Sequence, residues 1–341
     1  MNTILLDKLN GISTSRPPIW LMRQAGRVLP EYRKVRASAK DFKSFVKNPD
    51  LASEVTVQPV DILGVDAAIV FSDILVIPEA MGLDYEMIEA KGPSFPKVIE
   101  SIGDIQSLVC ERDIIQERLD YVYQAITQSK TKLNDRVPLI GFAGAPWTIM
   151  AYMIEGQGSK TFSKAKKWLY KDSKAAHLLL QKITDATIHY LEGQIAAGAQ
   201  IIQLFDSWAG VLDARMYREF CIPYLEQIER TLTVPSIIFA KDAWFALEDL
   251  ATTSFDAVGL DWGISAEYAH SKLGSSKVTQ GNADPCFLYA DEKYIQDRTR
   301  EMLREFGTNH IANLGHGLYP DTPLDGVKAY IAAVKAYQYE V

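Results

Sequence analysis

The sequence is poor in the residues that build metal sites and disulfides. It has three cysteines, Cys110, Cys221 and Cys286, and five histidines among 341 residues. The cysteines stand far apart, without a CxxC pair or a nearby pair of histidines, so no local zinc knuckle can form from them. An odd number of cysteines also suits a reducing compartment. We therefore expect a cytoplasmic protein without a metal site.

Fingerprints of nucleotide binding are also missing. No GxGxxG follows an apolar run, so dinucleotide binding lacks support. Residues 156–161, GQGSKT, resemble a phosphate-binding loop, but Ser159 stands where the Walker motif has the glycine directly before its lysine. The segment also follows a predicted helix rather than a strand. The sequence thus offers no sign of an organic cofactor.

The chain has neither an excess of positive charge nor a clear membrane segment. It carries 36 Lys and Arg against 43 Asp and Glu, a net charge of −7, which argues against a whole-surface affinity for nucleic acid or anionic lipid. Only a three-residue apolar run precedes Asp7, so we expect no secretory signal. Residues 137–154 lack charge for 18 residues, but they contain two prolines and two glycines. A strand, a tight turn and a helix entered at Pro146 explain them better than a membrane span.

Short apolar runs rich in Val, Ile and Phe predict eight buried parallel strands. The runs lie at residues 18–22, 67–72, 137–143, 199–205, 234–240, 257–261, 277–281 and 310–314. Helical patterns separate them: residues 182–198, a helix capped by Ser265 and ended by Gly274, residues 284–306, and a last helix after Pro323. We therefore predict an α/β fold, a single (β/α)8 barrel of the TIM type over residues 1–341, with an extra N-terminal helical segment.

The strongest charge feature lies between Arg16 and Lys43, where eight basic side chains face only two acidic ones. The part from Arg33 to Lys43 is typical of a solvated helix face. Arg23 and Arg27 differ, because they flank a glycine directly after the first predicted strand. The fixed fork of a guanidinium suits carboxylates and phosphates. We expect these two arginines to bind an anionic ligand.

Four more polar side chains fall near the carboxyl ends of predicted strands, where a barrel keeps its active site. Asp73 has no basic neighbour within six residues, so it is either an ion-pair partner or a catalytic group. His316, between two glycines, is either structural or turned toward a cavity. Tyr152 could pack in the core, and Ser207 could cap the helix after the fourth strand. The other four histidines are interpreted as packing or surface residues.

Two long motifs make the chain specific. Residues 18–33, PIWLMRQAGRVLPEYR, resemble the first defining motif of the uroporphyrinogen decarboxylase family, and residues 141–156, GFAGAPWTIMAYMIEG, resemble the second. Further similarity lies in FSDIL at 71–75, FDSW at 205–208 and NLGHG at 313–317, so the resemblance covers nearly the whole chain in the family's order. The departures are Val28, where an aromatic is expected, and Ala143 and Ala145, where serines are frequent.

The resemblance implies removal of CO2 from the four acetate side chains of uroporphyrinogen III, which yields coproporphyrinogen III in haem synthesis. It also implies a (β/α)8 barrel, a homodimer, a cytoplasmic location, and neither a metal nor an organic cofactor. The essential aspartate of the family falls on Asp73. The family's substrate contacts fall on Arg23, Gln24, Ala25, Gly26, Arg27, Asp73, Tyr152, Ser207 and His316.

The chemistry of the residues agrees with that function. Loss of CO2 from a pyrrole acetate needs an electron sink, which the substrate itself supplies once a ring carbon is protonated. A buried carboxylate such as Asp73 would then stabilise the developing positive charge. The proton donor stays open, because an arginine is a poor acid at neutral pH. Two alternatives remain: a corrinoid-dependent methyltransferase on the same barrel, with zinc held by His and Cys, and a non-catalytic tetrapyrrole carrier, which would not need Asp73.

Overall fold

A parallel sheet forms the centre of the molecule in this computed structural model, which describes residues 1–88, 91–274 and 277–339. The strands are β1 (Ala68–Ile69), β2 (Glu86–Ile88), β3 (Gly92–Ser94), β4 (Leu139–Gly144), β5 (Ile201–Asp206), β6 (Ser236–Ala240), β7 (Ala257–Gly259), β8 (Val278–Ala283) and β9 (His310–Leu314). Seven of them pair in parallel in the order β1-β4-β5-β6-β7-β8-β9. β2 and β3 form a separate antiparallel hairpin.

Helices connect these strands and cover the sheet. The α-helices are α1 (Ile4–Leu9), α2 (Pro30–Ala37), α3 (Phe42–Val46), α4 (Pro49–Leu63), α5 (Val76–Ala80), α6 (Ile102–Ser107), α7 (Arg112–Arg118), α8 (Asp120–Leu133), α9 (Pro146–Glu155), α10 (Ser163–Lys171), α11 (Ser173–Ala196), α12 (Ala214–Phe220), α13 (Ile222–Glu229), α14 (Leu247–Thr252), α15 (Ala266–Leu273), α16 (Glu292–Phe306) and α17 (Leu324–Ala336). Short 3₁₀ helices lie at Ala209–Val211, Trp244–Ala246 and Pro285–Tyr289. The fold is thus α/β and TIM-like, with a sheet that curls into part of a barrel.

Seven of the eight strands predicted from the apolar runs are confirmed, because each run is buried on both faces as parallel strands require. Their bounds shift by a few residues, and β1 is much shorter than predicted. Its ladder ends because the Phe71 N–H donates to the Thr56 hydroxyl (2.9 Å) instead of to a neighbouring strand.

Residues 18–22, predicted as the first strand, form only one parallel bridge, between Ile19 and Ala312 of β9. Proline at position 18 has no N–H to give to a ladder. The next donors go to side chains, since the Leu21 N–H bonds Gln24 Oε1 (2.9 Å) and the Met22 N–H bonds Asn313 Oδ1 (3.0 Å). Side-chain amides therefore replace strand pairing in this segment.

Polar side chains link this segment to the interior of the sheet. The Trp20 indole N–H donates to Gln280 Oε1 (2.9 Å), and the Gln280 amide donates to Gln203 Oε1 (3.1 Å). All three side chains are fully buried, and these hydrogen bonds supply the partners that buried polar groups need. The chain holds residues 18–22 against β5 and β8.

The helix predictions are mostly confirmed. Residues 137–154 form β4 and α9, which begins at Pro146, and no helix in the described part of the chain is long and apolar enough to cross a membrane. Ser265 caps α15, and Gly274 follows its end. The single helix predicted over 284–306 is wrong. It divides into a 3₁₀ turn and α16, because Asp291 caps a new helix through the Tyr294 N–H.

Candidate active site

The carboxyl ends of the strands surround a cavity of about 510 Å³. Seven of the nine predicted site residues line it: Arg23, Ala25, Gly26, Arg27, Asp73, Ser207 and His316. They come from segments as distant in sequence as residues 23 and 316, and parallel strands bring these ends to one rim. Their contact with a substrate stays a prediction.

Aromatic side chains form one wall of the cavity. Phe142, Phe205 and Phe239 come from the neighbouring strands β4, β5 and β6, and Phe205 pairs in register with Phe239. Ring centroids lie 5.7 Å apart between Phe142 and Phe205 and 6.2 Å apart between Phe205 and Phe239, in edge-to-face contact. The cavity therefore offers a broad apolar surface beside its charged groups.

Asp73 is half-buried at the cavity wall and makes no ion pair within 4 Å in the part of the chain described. Its Oδ1 accepts a hydrogen bond from the Leu75 N–H (2.9 Å), which fixes the turn into α5. Burial raises the pKa of the Asp73 carboxyl, while the Leu75 N–H, the Tyr85 hydroxyl and the charge of Arg23 oppose that rise. A desolvated, unpaired carboxylate facing a cavity gains strongly from a nearby cation.

Arg23 occupies a strained backbone position at the cavity. Its φ of 62° lies in the left-handed region, which costs a non-glycine residue roughly 1–2 kcal/mol. The Gln24 N–H donates to the Leu21 carbonyl (3.0 Å) and holds the turn. The Arg23 side chain lies directly against Gly317, so closely that a Cβ at position 317 would collide with its Cγ and Cδ. Desolvation of the guanidinium lowers the pKa of Arg23, while the charge of Asp73 opposes the change.

Gln24 has a different place from its neighbours. Its side chain is fully buried and lies outside the cavity lining. Besides accepting from Leu21, its amide donates to the Ala67 carbonyl (3.0 Å), directly before β1. Ala25 and Gly26 reach the cavity with little more than their backbone. Gln24 thus stabilises the turn that carries Arg23 and Arg27.

Tyr152 and Ser207 come from neighbouring parts of the fold. Tyr152 lies on α9, which follows β4, and Ser207 lies directly after β5. Ser207 lines the cavity, whereas the cap of the following helix α12 is Asp213, whose Oδ1 accepts from the Met216 N–H (2.9 Å). Helix capping therefore does not explain Ser207. Tyr152 lies outside the lining, half-buried, with its ring edge-on to Phe162 and Trp208 at 5.8 and 6.0 Å. Its charge environment includes both Asp73 and Arg23.

His316 is half-buried at the cavity wall, and its ring is neutral at physiological pH. Desolvation, together with the positive charges of Arg23 and Lys241, lowers the pKa of His316 to about 4. Such a ring donates or accepts one hydrogen bond without adding a charge. Of the other histidines, His310 is fully buried and stacks on Phe306, in agreement with its interpretation as a packing residue.

Some features of the site were missed from sequence. The phenylalanine wall had a visible signal, since a phenylalanine stands near the end of three consecutive predicted strands. Tyr85, which contacts Asp73 from the long excursion after β1, had none. Lys43 was predicted on a solvated helix face, but it is half-buried and pairs with Glu79, which also lies near Asp73. The segment after β1 that carries Tyr85 and Glu79 reaches the site only through tertiary packing, which no local sequence pattern indicates.

Residues that could hold a metal are not brought together. Within residues 1–88, 91–274 and 277–339, no three His, Cys, Asp or Glu side chains form a group that could bind a metal ion. All three cysteines are free, and only Cys221 is fully buried. Residues 156–161 connect α9 to α10, where the Ser159 hydroxyl accepts from the Thr161 and Phe162 N–H groups. These two N–H groups are thus used within the turn and do not point at a phosphate site.

Known proteins resemble the chain over almost its whole length. Residues 1–337 match the family profile described as uroporphyrinogen decarboxylase (URO-D). Proteins named uroporphyrinogen decarboxylase from Pongo abelii and Homo sapiens are 48% and 47% identical, over 98% of this chain and 93% of theirs. A bacterial relative of the same name, from Christiangramia forsetii, is 46% identical over 99% of both chains.

Solved structures agree on the fold. A methyltransferase from Methanosarcina mazei superposes with a TM-score of 0.84 at 23% identity, over 98% of both chains. A B12-independent methionine synthase from Shewanella sp. W3-18-1 reaches 0.59 at 12% identity. Identities this low show a shared architecture alone. The profile match and the relatives near half identity show more: the chain belongs to the uroporphyrinogen decarboxylase family.

Proposed function

We propose that the cavity binds uroporphyrinogen III and that the protein removes CO2 from its four acetates to give coproporphyrinogen III. The observation that carries the proposal is Asp73, a carboxylate without an ion pair among the described residues, in the wall of a cavity that arginines and phenylalanines also line. Full-length relatives near half identity that bear the name of this activity support it.

The substrate's shape and charge fit that arrangement. A porphyrinogen has an apolar tetrapyrrole centre and eight carboxylates at its periphery. Phe142, Phe205 and Phe239 would pack against the macrocycle, while Arg23 and Arg27 bind peripheral carboxylates as guanidinium forks. The overall charge of −7 would repel such an anion, so the local cations matter for its capture.

Each decarboxylation balances as one proton taken up and one CO2 released. Protonation of a pyrrole ring carbon makes the ring cationic; the bond from the acetate methylene to its carboxylate then breaks, and its electron pair flows into the ring. Protonation of the resulting exocyclic methylene gives the methyl group, and the ring proton leaves. Asp73 stabilises the ring cation and accepts hydrogen bonds from pyrrole N–H groups.

The remaining predicted contacts position the substrate. Ser207 and the neutral ring of His316 each offer one hydrogen bond to a carboxylate, and Tyr152 offers its hydroxyl. Ala25 and Gly26 let the backbone approach the ligand closely, while Gln24 keeps the turn between the two arginines in place. We assign the proton donor to none of these residues, because the arginines are poor acids and His316 is neutral.

Incubation with freshly reduced uroporphyrinogen III tests the function directly. We expect hepta-, hexa- and pentacarboxylate intermediates to appear in turn, and the tetracarboxylate to accumulate, when products are separated by chromatography. Recovery of only the octacarboxylate, with binding intact, would instead support a tetrapyrrole carrier. Turnover without added metal or corrinoid distinguishes decarboxylation from methyl transfer.

The methyltransferase alternative has less support. The likeness to a methyltransferase rests on fold at 23% identity, whereas relatives named uroporphyrinogen decarboxylase reach 46–48%. Its zinc would need clustered His and Cys ligands, and the described residues contain no such group. The carrier alternative leaves the desolvated Asp73 without a purpose.

We also propose that residues 1–341 form one domain whose barrel closes through residues 18–22. The Ala312 N–H donates to the Pro18 carbonyl (2.9 Å), and the Asp66 N–H, just before β1, donates to the Ile19 carbonyl (2.8 Å). This segment therefore touches both edges of the seven-stranded sheet, which supports a (β/α)8 barrel. Free cysteines are compatible with the cytoplasm as its compartment.

A homodimer is proposed as well, with no nucleic acid, membrane or cofactor partner. Trp244, which begins the 3₁₀ helix after β6, is 58% exposed, and Trp262, in the loop after β7, is 41% exposed. Exposed aromatic side chains of this size are enriched at protein interfaces. Sedimentation at several concentrations would show a mass of two chains, and a single-chain mass throughout would contradict the proposal.

Arg27→Ala is expected to weaken substrate capture more than chemistry. The exposed Arg27 guanidinium lines the cavity, and a charge-assisted hydrogen bond contributes about 1.5–3 kcal/mol, so we expect KM to rise about tenfold or more. Steady-state kinetics with uroporphyrinogen III measure this. Lys34→Ala, which removes an exposed cation from α2, is the control and should leave KM unchanged. An unaltered KM in Arg27→Ala would contradict the role of Arg27 in substrate capture.

Gly317→Ala is expected to keep the fold but displace Arg23. Its methyl group would occupy the space of the Arg23 side chain, which can move, whereas the backbone can stay. Loss of one guanidinium contact should lower kcat/KM about tenfold or more. Gly158→Ala is the matched control, since a Cβ there has no neighbour within 4 Å. Wild-type kinetics in Gly317→Ala would show that Arg23 does not need this contact.

A further inference from the structure

A fully buried carboxylate, Asp206, lies at the end of β5 and has no part in the chemistry above. It is fully buried and makes no ion pair within 4 Å among the described residues. Burying an unpaired carboxylate is unfavourable unless hydrogen bonds compensate. Asp206 therefore needs a structural or functional explanation of its own.

Two hydroxyl groups meet this carboxylate. The Thr148 hydroxyl donates to Asp206 Oδ1 (2.6 Å), and the Tyr217 hydroxyl donates to Oδ2 (3.0 Å). Both side chains are fully buried, so water does not compete with either bond. Each oxygen of Asp206 thus has one donor, from α9 on one side and from α12 on the other.

Thr148 passes this restraint on to the turn that carries Ser207. Its oxygen accepts a hydrogen bond from the Trp208 N–H (3.1 Å), so its only proton must go to Asp206. The Trp147 indole N–H donates a hydrogen bond to the Trp208 carbonyl (3.0 Å). The backbone of Trp208 is therefore fixed at both polar groups by two consecutive residues of α9.

Ser207 and Tyr152, the two predicted substrate contacts near this turn, both depend on the fixed position of Trp208. Ser207 precedes Trp208 and lines the cavity. Tyr152 lies one turn beyond Thr148 on α9, and its ring packs edge-on against Trp208. A shift of the 206–208 turn would move the Ser207 hydroxyl and the support of Tyr152 together.

We propose that Asp206 is a positioning residue whose ionised form locks the Ser207–Trp208 turn through Thr148 and so orders the substrate site. Protonated Asp206 would have to donate a hydrogen bond of its own. One of its two partners would then have to turn its proton away, and at Thr148 this competes with the Trp208 N–H.

The burial of Asp206 makes this lock sensitive to pH. Desolvation raises the pKa of Asp206 to about 6, and the bonds from Thr148 and Tyr217 oppose the rise. The titratable groups that face it are Tyr217 and Cys221, both buried with pKa values raised well above normal, so neither carries a charge near neutrality. Asp206 is thus the group in this cluster that titrates in the physiological range.

Thr148→Val tests the lock. It removes the hydroxyl that joins Asp206 to Trp208, and we expect KM for uroporphyrinogen III to rise about tenfold with a smaller change in kcat, as for a lost positioning bond. Thr187→Val is the matched control, because that buried hydroxyl donates to the Ile183 carbonyl of its own helix. Equal kinetics in the two variants would overturn the proposal.

Tyr217→Phe tests the titration without touching the turn. Loss of a donor to the carboxylate should raise the pKa of Asp206 and move the acid limb of kcat/KM up by as much as about one pH unit, with wild-type kinetics retained at pH 8. Asp206→Asn should remove the contribution of Asp206 to that limb. A limb that stays in place in Tyr217→Phe overturns the inference, and this variant remains informative if Asp206→Asn fails to fold.

The inference rests on decarboxylation at this cavity, and the two can fail separately. If the wild-type protein releases no CO2 from uroporphyrinogen III, the proposed function fails. If the wild-type protein is active, Thr148→Val behaves like Thr187→Val and Tyr217→Phe keeps the wild-type acid limb, only the role of Asp206 fails. An infrared titration of the carboxyl band that disappears in Asp206→Asn gives a readout independent of activity.

Discussion

We expect Asp73→Asn to lower turnover of uroporphyrinogen III about a thousandfold and to leave the fold intact. A unit charge about 4 Å from the cationic ring contributes about 4 kcal/mol at an effective dielectric near 20. If that attraction arises only in the transition state, its loss corresponds to roughly three powers of ten in kcat. The amide keeps the size and one oxygen of the carboxylate but not its charge.

The local structure makes this a clean substitution. The Asp73 carboxylate accepts the Leu75 N–H through Oδ1 and also contacts the Tyr85 hydroxyl, and the asparagine oxygen can accept the Leu75 bond in the same way. No ion pair is broken, since Asp73 has none within 4 Å in the described chain. Because burial raises the pKa of Asp73, removal of its charge should not reduce stability. Unfolding midpoints should stay near the wild-type value.

Timed product analysis measures the effect, with Asp84→Asn as control. Asp84 is an exposed carboxylate in the same excursion after β1, so it reports on any general effect of losing one negative charge. We expect wild-type turnover in Asp84→Asn. Undiminished release of CO2 by folded Asp73→Asn would remove Asp73 from the chemistry and, with it, the mechanism proposed here.

The parts of the fold that were predictable depend on local pattern. Continuous apolar runs gave seven parallel strands, since burial on both faces leaves a signal in each run by itself. Residues 18–22 carry the same signal and yet make only one bridge. The difference lies in acceptors such as Asn313, which is almost 300 positions away and takes the Met22 N–H. No local pattern contains that information.

The candidate site divides in the same way. Asp73 and Ser207 could be placed at the cavity because each comes within two residues of the end of a predicted apolar strand, and strand ends converge in this architecture. Gln24 could not be distinguished from Arg23 and Arg27, since only the structure shows that its amide bonds Leu21 and Ala67. The contact between Arg23 and Gly317 likewise joins opposite ends of the chain.

We expect Asp66→Ala to produce the largest loss of stability among the substitutions considered. Asp66 is 1% exposed and anchors the segment before Arg23. It accepts two bonds from the Arg16 guanidinium (2.6 and 2.8 Å), one from the Asn2 amide (2.7 Å) and one from the Ile19 N–H (2.9 Å). Breaking a buried ion pair by removing one partner lowers the free energy of unfolding by about 3–5 kcal/mol.

Urea unfolding of the variant, followed by circular dichroism, tests this expectation against a matched pair. Asp61→Ala removes the partner of Arg136 in a surface ion pair whose side chains are 46% and 51% exposed, and there we expect a loss below about 1 kcal/mol. A similar loss in both variants would mean that Asp66 acts as an ordinary surface charge. Because Asp66 bonds Ile19, four residues before Arg23, the surviving folded Asp66→Ala should also bind uroporphyrinogen III more weakly. Stability and substrate capture then depend on one carboxylate, and Asp61→Ala, which should change neither property by much, controls for the loss of one negative charge.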